Sequence, residues 1–140
     1  MSLVRDTKEI SEMVRLCRDI NGEGTIDLIK IVKALDIHLI DTTQHNYLKS
    51  QEYGKIVYDA TEGKAIIIFD EKQPLYLQRF TVAHEVGHYL LRFWEPTSLG
   101  KEIIRALDEL IGITIEREAS MFAKMLLQEP EPDLSEGKKL

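Results

Sequence analysis

The chain has 140 residues, of which 44% are hydrophobic, and this length and composition fit one globular domain with its own core. No segment approaches the roughly 20 consecutive apolar residues of a membrane-spanning helix. The first residues are charged where a secretory leader needs an apolar run, so we expect a cytoplasmic protein. A single cysteine excludes an internal disulfide or a cysteine-rich zinc site, and the net charge of −6 argues against direct nucleic-acid binding.

Two helices are predicted in the first 36 residues. Residues 7–20 form the first, an amphipathic helix that the Asn-Gly-Glu-Gly sequence at residues 21–24 ends. Its apolar positions recur at helical spacing: Ile10, Met13, Val14 and Cys17. Thr25 can cap a second helix that extends to Asp36. Neither helix offers a group of side chains suited to catalysis.

The next part of the chain has the pattern of β-strands. A short strand is predicted near residues 37–39, and longer ones at residues 53–58 and from Lys64 to Asp70, which contain runs of Ile, Val, Phe and Tyr. Residues 59–63 read as a turn. The simplest connection between the two longer strands is therefore an antiparallel hairpin.

A helix predicted at residues 75–93 carries the most informative pattern. Pro74 suits its start, because the N–H that proline lacks has no partner in a first helical turn. The helix is apolar almost all round except for one narrow row: Gln78, Thr81, His84, Glu85, His88 and Arg92. Solvated rows are usually built from Lys, Glu and Arg, whereas a polar row on a buried helix has to be satisfied internally or line a cleft. The row is either a solvated face or part of a site.

Within this row, residues 84–88 read His-Glu-Val-Gly-His, the H-E-x-x-H pattern. Side chains four residues apart lie on one face of a helix, so both imidazoles can reach one metal ion. Glu85 projects about 60° from His88 around the helix axis, close enough to address a water on that ion. Gly87 costs a helix roughly 1 kcal/mol relative to Ala, and its presence predicts close packing by another element. The arrangement is typical of a metal hydrolase.

Beyond a Pro- and Gly-containing break, residues 101–110 can form a short helix. Gly112 interrupts the pattern again, and the last helix is predicted to start near Thr114 and to end near Leu127. We expect residues 131–140 to be a poorly ordered tail, because they are rich in charge and follow two prolines. Residues 1–130 are then the single domain.

A catalytic zinc ion needs three protein ligands and one open position, and the third ligand is often a carboxylate. The last helix offers Glu116 and Glu118. At 100° per residue, Glu116 lies about 60° from the centre of the apolar sector and Glu118 about 100° away on the other side, which favours Glu116. The alternative role for Glu116 is that of a first-turn acid stabilised by the helix dipole. We interpret His38 and His45 as surface or half-buried residues, not ligands.

Two segments together resemble the ImmA/IrrE family of metallopeptidases. The first is residues 79–91, which contain the H-E-x-x-H pattern, and the second is residues 115–123, which contain both candidate carboxylates. Residues 63–68 also resemble the strand that leads into the active-site helix of that family. The resemblance covers residues 25–130. It implies a zincin-like α+β fold, with a small antiparallel sheet packed on the active-site helix and on further helices.

The resemblance also implies the site. It makes His84, His88 and Glu116 the ligands of one zinc ion and Glu85 the general base, with Glu118 as the less favoured substitute for Glu116. Ser120 stands where Asn or Asp is common in the family, so we expect its hydrogen bond to a ligating histidine to be weaker or made through water.

Members of that family are typically encoded beside helix-turn-helix repressors of phages, mobile elements or stress responses, and they relieve repression by cleaving them. The resemblance therefore implies a zinc metallo-endopeptidase that acts as an antirepressor on a protein, and not on nucleic acid or a membrane. Two alternatives stay open: a module that binds a repressor without cutting it, and the toxin of a toxin–antitoxin pair. Glu85 favours an enzyme, because a purely structural metal site needs the histidines but not that glutamate.

Substrate binding is predicted along the strand from Lys64 to Asp70, interpreted as an edge strand to which an extended peptide can add. Such a peptide would place its scissile bond over the metal. The oxyanion would need a hydrogen-bond donor, and the candidates by residue type are Tyr53, Tyr58, Tyr89 and Arg92. The sequence carries no signal for the oligomeric state.

Overall fold

The computed structural model describes residues 6–42, 48, 52–59, 61–93 and 108–128. Its helices and strands are, in chain order, α1 (Thr7–Asn21), α2 (Leu28–Ala34), β1 (Ile37–Asp41), β2 (Gly54–Asp59), β3 (Lys64–Phe69), α3 (Leu75–His88), a π-helical turn (Tyr89–Phe93) and α4 (Asp108–Leu126). The α+β class is confirmed. Three predictions fall outside the described residues: those on His45, on residues 101–107 and on the tail at residues 131–140. Within the described ranges, no helix combines the length and apolar character needed to cross a bilayer.

The three strands form one mixed sheet in the order β1-β3-β2. The hairpin of β2 and β3 is antiparallel as predicted, with Gly54 opposite Phe69. β1 instead runs parallel to β3, with Ile37 opposite Ala65, so the prediction of an antiparallel sheet is wrong for this strand. β1 ends and β2 begins at the same end of β3, on opposite sides of it. Two parallel strands cannot be joined by a tight hairpin, and in the chain β2 lies between β1 and β3.

β3 is the central strand, so the prediction that Lys64 to Asp70 form an edge strand is wrong. The physical reason lies in its sequence. A strand that is covered on both faces reads as a continuous apolar run, and residues 65–69 are Ala-Ile-Ile-Ile-Phe, of which four are buried. The edges of the described sheet are β1 and β2.

The first two helices begin at aspartates. The Asp6 side chain caps α1, and the Asp27 Oδ1 accepts a hydrogen bond from the backbone N–H of Lys30 at the start of α2. The prediction that Thr25 caps the second helix is therefore wrong by two positions. Asn21 explains the shift, because its Oδ1 accepts the Asp27 N–H at 2.7 Å and fixes the turn that leads into α2.

All four described helices and the sheet contribute to the hydrophobic core. Its largest fully buried side chains include Ile10, Leu28, Ile31, Val32, Ile67, Val82, Val86, Phe122 and Leu126. The apolar face predicted for α1 supplies Ile10, Val14 and Cys17 to this core. α1 therefore belongs to the same folded unit as α3 and α4.

α1 also holds the end of α4. The Arg18 guanidinium donates hydrogen bonds to the backbone carbonyl of Met125 at 2.9 Å and to that of Leu126 at 3.3 Å. Carbonyls in the last turn of a helix have no backbone donor within the helix, and a cation there also complements the helix dipole. Arg18 thus caps α4 from a position more than 100 residues earlier in the chain.

Cys17 is fully buried, and burial raises the pKa of its thiol to about 12. Because the thiolate is the reactive form, the folded protein should not react with an aromatic disulfide reagent at neutral pH. Unfolding in guanidinium should release one equivalent of chromophore, since the chain has one cysteine. The absorbance of the thiolate that the reagent releases measures the labelling of both the folded and the unfolded protein. Rapid, stoichiometric labelling of the folded protein would contradict the burial of Cys17.

Gly87 lies where α4 packs against α3. A Cβ at Gly87 would be 2.9 Å from Cδ1 and 3.2 Å from Cβ of Phe122, whose side chain is fully buried. The close packing predicted for this glycine is confirmed. The lack of a side chain at Gly87 lets α4 approach α3 closely.

The substitution Gly87→Ala should therefore destabilise the protein. Overpacking costs about 1–3 kcal/mol, which exceeds the gain of up to roughly 1 kcal/mol in helix propensity. The midpoint of urea unfolding measures the difference, provided the slope is unchanged. In a Phe122→Leu background the loss should be smaller, because part of the obstructing ring is gone. Strict additivity of the two substitutions would argue against the contact.

Candidate metal centre

Two histidines in the last turns of α3 direct their rings to the same region. The ring centroids of His84 and His88 are 4.7 Å apart and the rings are nearly perpendicular. Phe80, one turn earlier, has its ring centroid 6.0 Å from that of His84. The two histidine side chains are only 15% and 13% exposed, so the surrounding structure restricts their rotamers.

The carboxylate of Glu116 reaches both rings from α4. Its Oε2 is 2.9 Å from Nε2 of His84, and its Oε1 is 3.0 Å from Nε2 of His88. One potential ligand atom from each of the three residues lies within 4.8 Å of the other two. The packing of α4 on α3 therefore brings together the three side chains that the sequence suggested as ligands.

Glu118, the alternative carboxylate, lies elsewhere. It is a buried residue with 4% of its surface exposed, whereas the Glu116 side chain is 62% exposed. Two positions along a helix differ by about 200° around its axis, so the two side chains leave α4 in nearly opposite directions. Only one of the two carboxylates can therefore reach the histidines, and in the structure it is Glu116.

Ser120 follows Glu116 by one helical turn and contacts the other ring nitrogen of His84. Its Oγ is 3.2 Å from Nδ1. The contact that we expected to be weak or water-mediated is direct. Because Ser120 occupies the Nδ1 side, the Nε2 of His84 is the nitrogen that faces Glu116.

Hydrogen bonds from His84 and from His88 hold the pKa of the Glu116 carboxyl well below its usual range. Glu116 is therefore an anionic oxygen donor next to two imidazole nitrogens. These donor types suit a first-row divalent metal ion.

Glu85 is a buried carboxyl beside this group, with 8% of the residue exposed. Burial raises the pKa of its side chain, because the charged form is poorly solvated. The charges of His88 and His84 act in the opposite direction, while those of Glu116 and Glu52 add to the increase. Glu85 thus has the environment of a group that can exchange a proton.

β2 lies directly against α3, one turn before Glu85. A Cβ at Gly54 would collide with the methyl group of Thr81 and lie 2.9 Å from the Ile68 carbonyl oxygen. Thr81 and Glu85 are four residues apart and share one side of α3. Thr81 belongs to the polar row of the predicted helix, whereas Gly54 is absent from the predicted site residues, although a glycine inside a strand signals close approach of another segment.

The donor set fits a catalytic metal ion. Two imidazole nitrogens and one carboxylate form a known type of zinc site, in which three protein ligands leave a fourth position for water or substrate. The exposure of Glu116 leaves the group accessible to solvent. A closed structural site would instead have four protein ligands.

The sequence model of peptidase family M78, the IrrE N-terminal-like domain, matches residues 32–131. The chain belongs to this IrrE N-terminal-like family. The resemblance to ImmA/IrrE proteins is thereby confirmed, and the family supports a metallopeptidase. No curated protein matches the sequence.

The matched part of this IrrE N-terminal-like domain contains the whole sheet, α3 and α4. It therefore includes His84, His88 and Glu116, as well as Glu85 and Ser120. α1 precedes the match, although it packs in the same core. The arrangement of helices and sheet around the three side chains is consistent with a zincin-like fold.

Proposed function

We propose that the protein is a zinc-dependent metallo-endopeptidase in which His84, His88 and Glu116 hold one zinc ion. The observation that carries this proposal is the convergence of these three donors beside a buried Glu85. Membership of a peptidase family supports it. Glu85 distinguishes the proposal from a purely structural metal site, because that carboxylate is not needed to hold an ion.

In this proposal Glu85 is the general base. A zinc ion held by His84, His88 and Glu116 would act as a Lewis acid towards a water and the scissile carbonyl. Glu85 accepts a proton from the attacking water and donates it to the leaving amine as the peptide bond breaks. Burial raises the pKa of Glu85, which moves it towards the pH at which it can both accept and release a proton. Ser120 holds the ring of His84 so that Nε2 keeps its direction.

We infer that an extended segment of the substrate pairs with the outer edge of β2. In an antiparallel pair, successive residues point their backbone groups alternately towards the partner strand and away from it. The Asp70 N–H donates to the Tyr53 carbonyl at 2.9 Å, so Tyr53 faces the β3 side. By alternation, Gly54 and Ile56 direct their N–H and C=O groups outward, where a substrate strand can bond to them.

This edge lies in a suitable place for hydrolysis. The contact between Gly54 and Thr81 fixes β2 against the side of α3 that carries Glu85. A strand added to β2 would lie about 4.8 Å beyond it. The added strand would then pass along α3 and over the metal group.

The proposed target is a helix-turn-helix transcriptional repressor of a phage, a mobile element or a stress response, cleaved in the cytoplasm. The resemblance to ImmA/IrrE proteins supports this choice. The net charge of −6 also supports it, because DNA-binding proteins present basic surfaces to which an acidic partner is complementary. The protein would bind the repressor and not its DNA.

The test is to incubate the zinc-loaded protein with a purified repressor encoded by a neighbouring gene, and to measure metal on the same sample. We expect one zinc ion per chain and two fragments of defined mass. A stable complex without fragments would favour the non-cleaving antirepressor. A neighbouring gene that encodes an antitoxin, with growth arrest in its absence, would favour the toxin. Neither metal nor fragments would overturn the proposed enzyme.

A further inference from the structure

Two aromatic residues continue the row of metal-ligating histidines along α3. Tyr76, Phe80, His84 and His88 are spaced by four residues, so their side chains follow one another along one side of the helix. Tyr76 is 58% exposed, the largest exposed fraction among the exposed large apolar side chains of the described chain. Phe80 is half-buried, and its ring lies 6.0 Å from the ring of His84.

The spacing of this row matches the spacing of side chains in an extended peptide. Four residues of an α-helix rise about 6.0 Å. Two residues of a β-strand, which separate side chains on the same face, rise about 6.6 Å. A strand that runs along α3 therefore presents successive same-face side chains to the metal group, to Phe80 and to Tyr76 in turn.

We propose that Phe80 and Tyr76 form two consecutive subsites that select large apolar side chains of the substrate. The substrate residues concerned lie two and four positions from the residue at the metal group, on one side of the scissile bond. Intervening side chains face away from α3 and are not selected. This inference rests on the proposed peptidase activity and specifies its substrate class.

The energetics favour apolar residues at both positions. Burial of an apolar side chain against the exposed ring of Tyr76, or against the part of the Phe80 ring that the core leaves uncovered, removes apolar surface of both partners from water. An aromatic substrate residue can add an offset or edge-to-face contact with the ring. Tyr76 lies on the same row of α3 as His84 and His88, so its exposed ring can contact a substrate side chain.

The test uses a peptide library made by digesting a bacterial lysate, incubated with the zinc-loaded protein. Mass spectrometry identifies the new termini and the residues around each cleaved bond. We expect Leu, Ile, Met, Phe or Tyr to be enriched on one side of the cleaved bond at the third and fifth residues from it, which lie two and four positions from the residue at the metal group. Tyr76→Ala should abolish the preference at the fifth residue, keep that at the third, and lower kcat/KM about tenfold for a peptide with Phe as the fifth residue.

Tyr53→Ala is the matched control. Tyr53 is 49% exposed, but a Cβ at the next residue, Gly54, would meet Thr81 of α3, so by alternation the Tyr53 side chain points to the face of the sheet away from α3. This orientation also removes Tyr53 from the candidates for the oxyanion donor. This variant should keep both preferences. Cleavage without positional preference, or an unchanged preference in Tyr76→Ala, would overturn the two subsites while leaving the peptidase intact. No cleavage by the unmodified protein would overturn the peptidase and the subsites with it.

Discussion

Replacing Glu85 with Gln should reduce peptide hydrolysis by about 10²–10⁴-fold while zinc stays bound. Loss of a general base typically costs this much, and the substitution leaves both histidines and Glu116 in place. The measurement is kcat/KM against the cleaved repressor, with zinc content determined on the same protein. Undiminished cleavage would show that another group takes the proton from water.

The stability of this variant provides its control. Burial raises the pKa of Glu85, so the folded state holds the proton more tightly than the unfolded state and loses stability as pH rises through this pKa. Gln is neutral at every pH and removes that penalty. The chelator-treated variant should therefore melt at the same or a higher temperature than its parent at pH 7, and the difference should vanish in acid. A clearly lower melting temperature at pH 7 would mean that lost activity reflects lost folding.

Glu116→Gln should weaken zinc binding by more than roughly 100-fold. Loss of a partner that merely orients a ligand already costs about 10–100-fold, and Glu116 is proposed as a ligand itself. Competition with a chromophoric chelator measures the affinity. The amide keeps the shape of the side chain but removes the negative charge that the two carboxylate oxygens, each facing one Nε2 atom, share.

Glu118→Gln is the matched control on the same helix. Glu118 is not part of the histidine group and lies about 200° from Glu116 around the helix axis, so this variant should bind zinc with the affinity of its parent. Because Glu118 is buried, the unfolding midpoint of the variant has to be measured alongside its zinc affinity. The opposite order of zinc affinities would show that Glu118 is the third ligand.

Much of the candidate site could be predicted because helical geometry is local. Once residues 75–93 read as a helix, the four-residue spacing of His84 and His88 places both rings on one side. The same reasoning separates Glu116 from Glu118, since two positions on a helix differ by about 200°. Gly87 even signalled that another element packs closely, although only the structure identifies Phe122 as that neighbour.

The strand order could not be predicted in the same way, because strand pairing depends on contacts between distant segments. The hairpin of β2 and β3 is local and was found, whereas the parallel pairing of β1 with β3 joins residues nearly 30 positions apart. The apolar run at residues 65–69 contains the signal for a central strand, which is compatible with the hairpin but not with the predicted edge strand.

The start of α4 shows that weak local preferences yield to packing. Gly112 suggested an interruption, yet the helix runs without a break from Asp108 to Leu126. A glycine costs a helix roughly 1 kcal/mol, and burial of a single large side chain contributes about 1.5–3 kcal/mol. α4 has several buried side chains further along, so it can carry one glycine.

The hydrogen bonds from Arg18 to the end of α4 bear on how the chain could be shortened. The family match begins at residue 32, but the hydrophobic core also includes residues that precede it. A fragment cut at that boundary would leave the Met125 and Leu126 carbonyls without the guanidinium and open the core where Ile10, Val14 and Cys17 had packed. The family match and the hydrophobic core thus have different boundaries, because α1 and the first part of α2 belong to the core but precede the match.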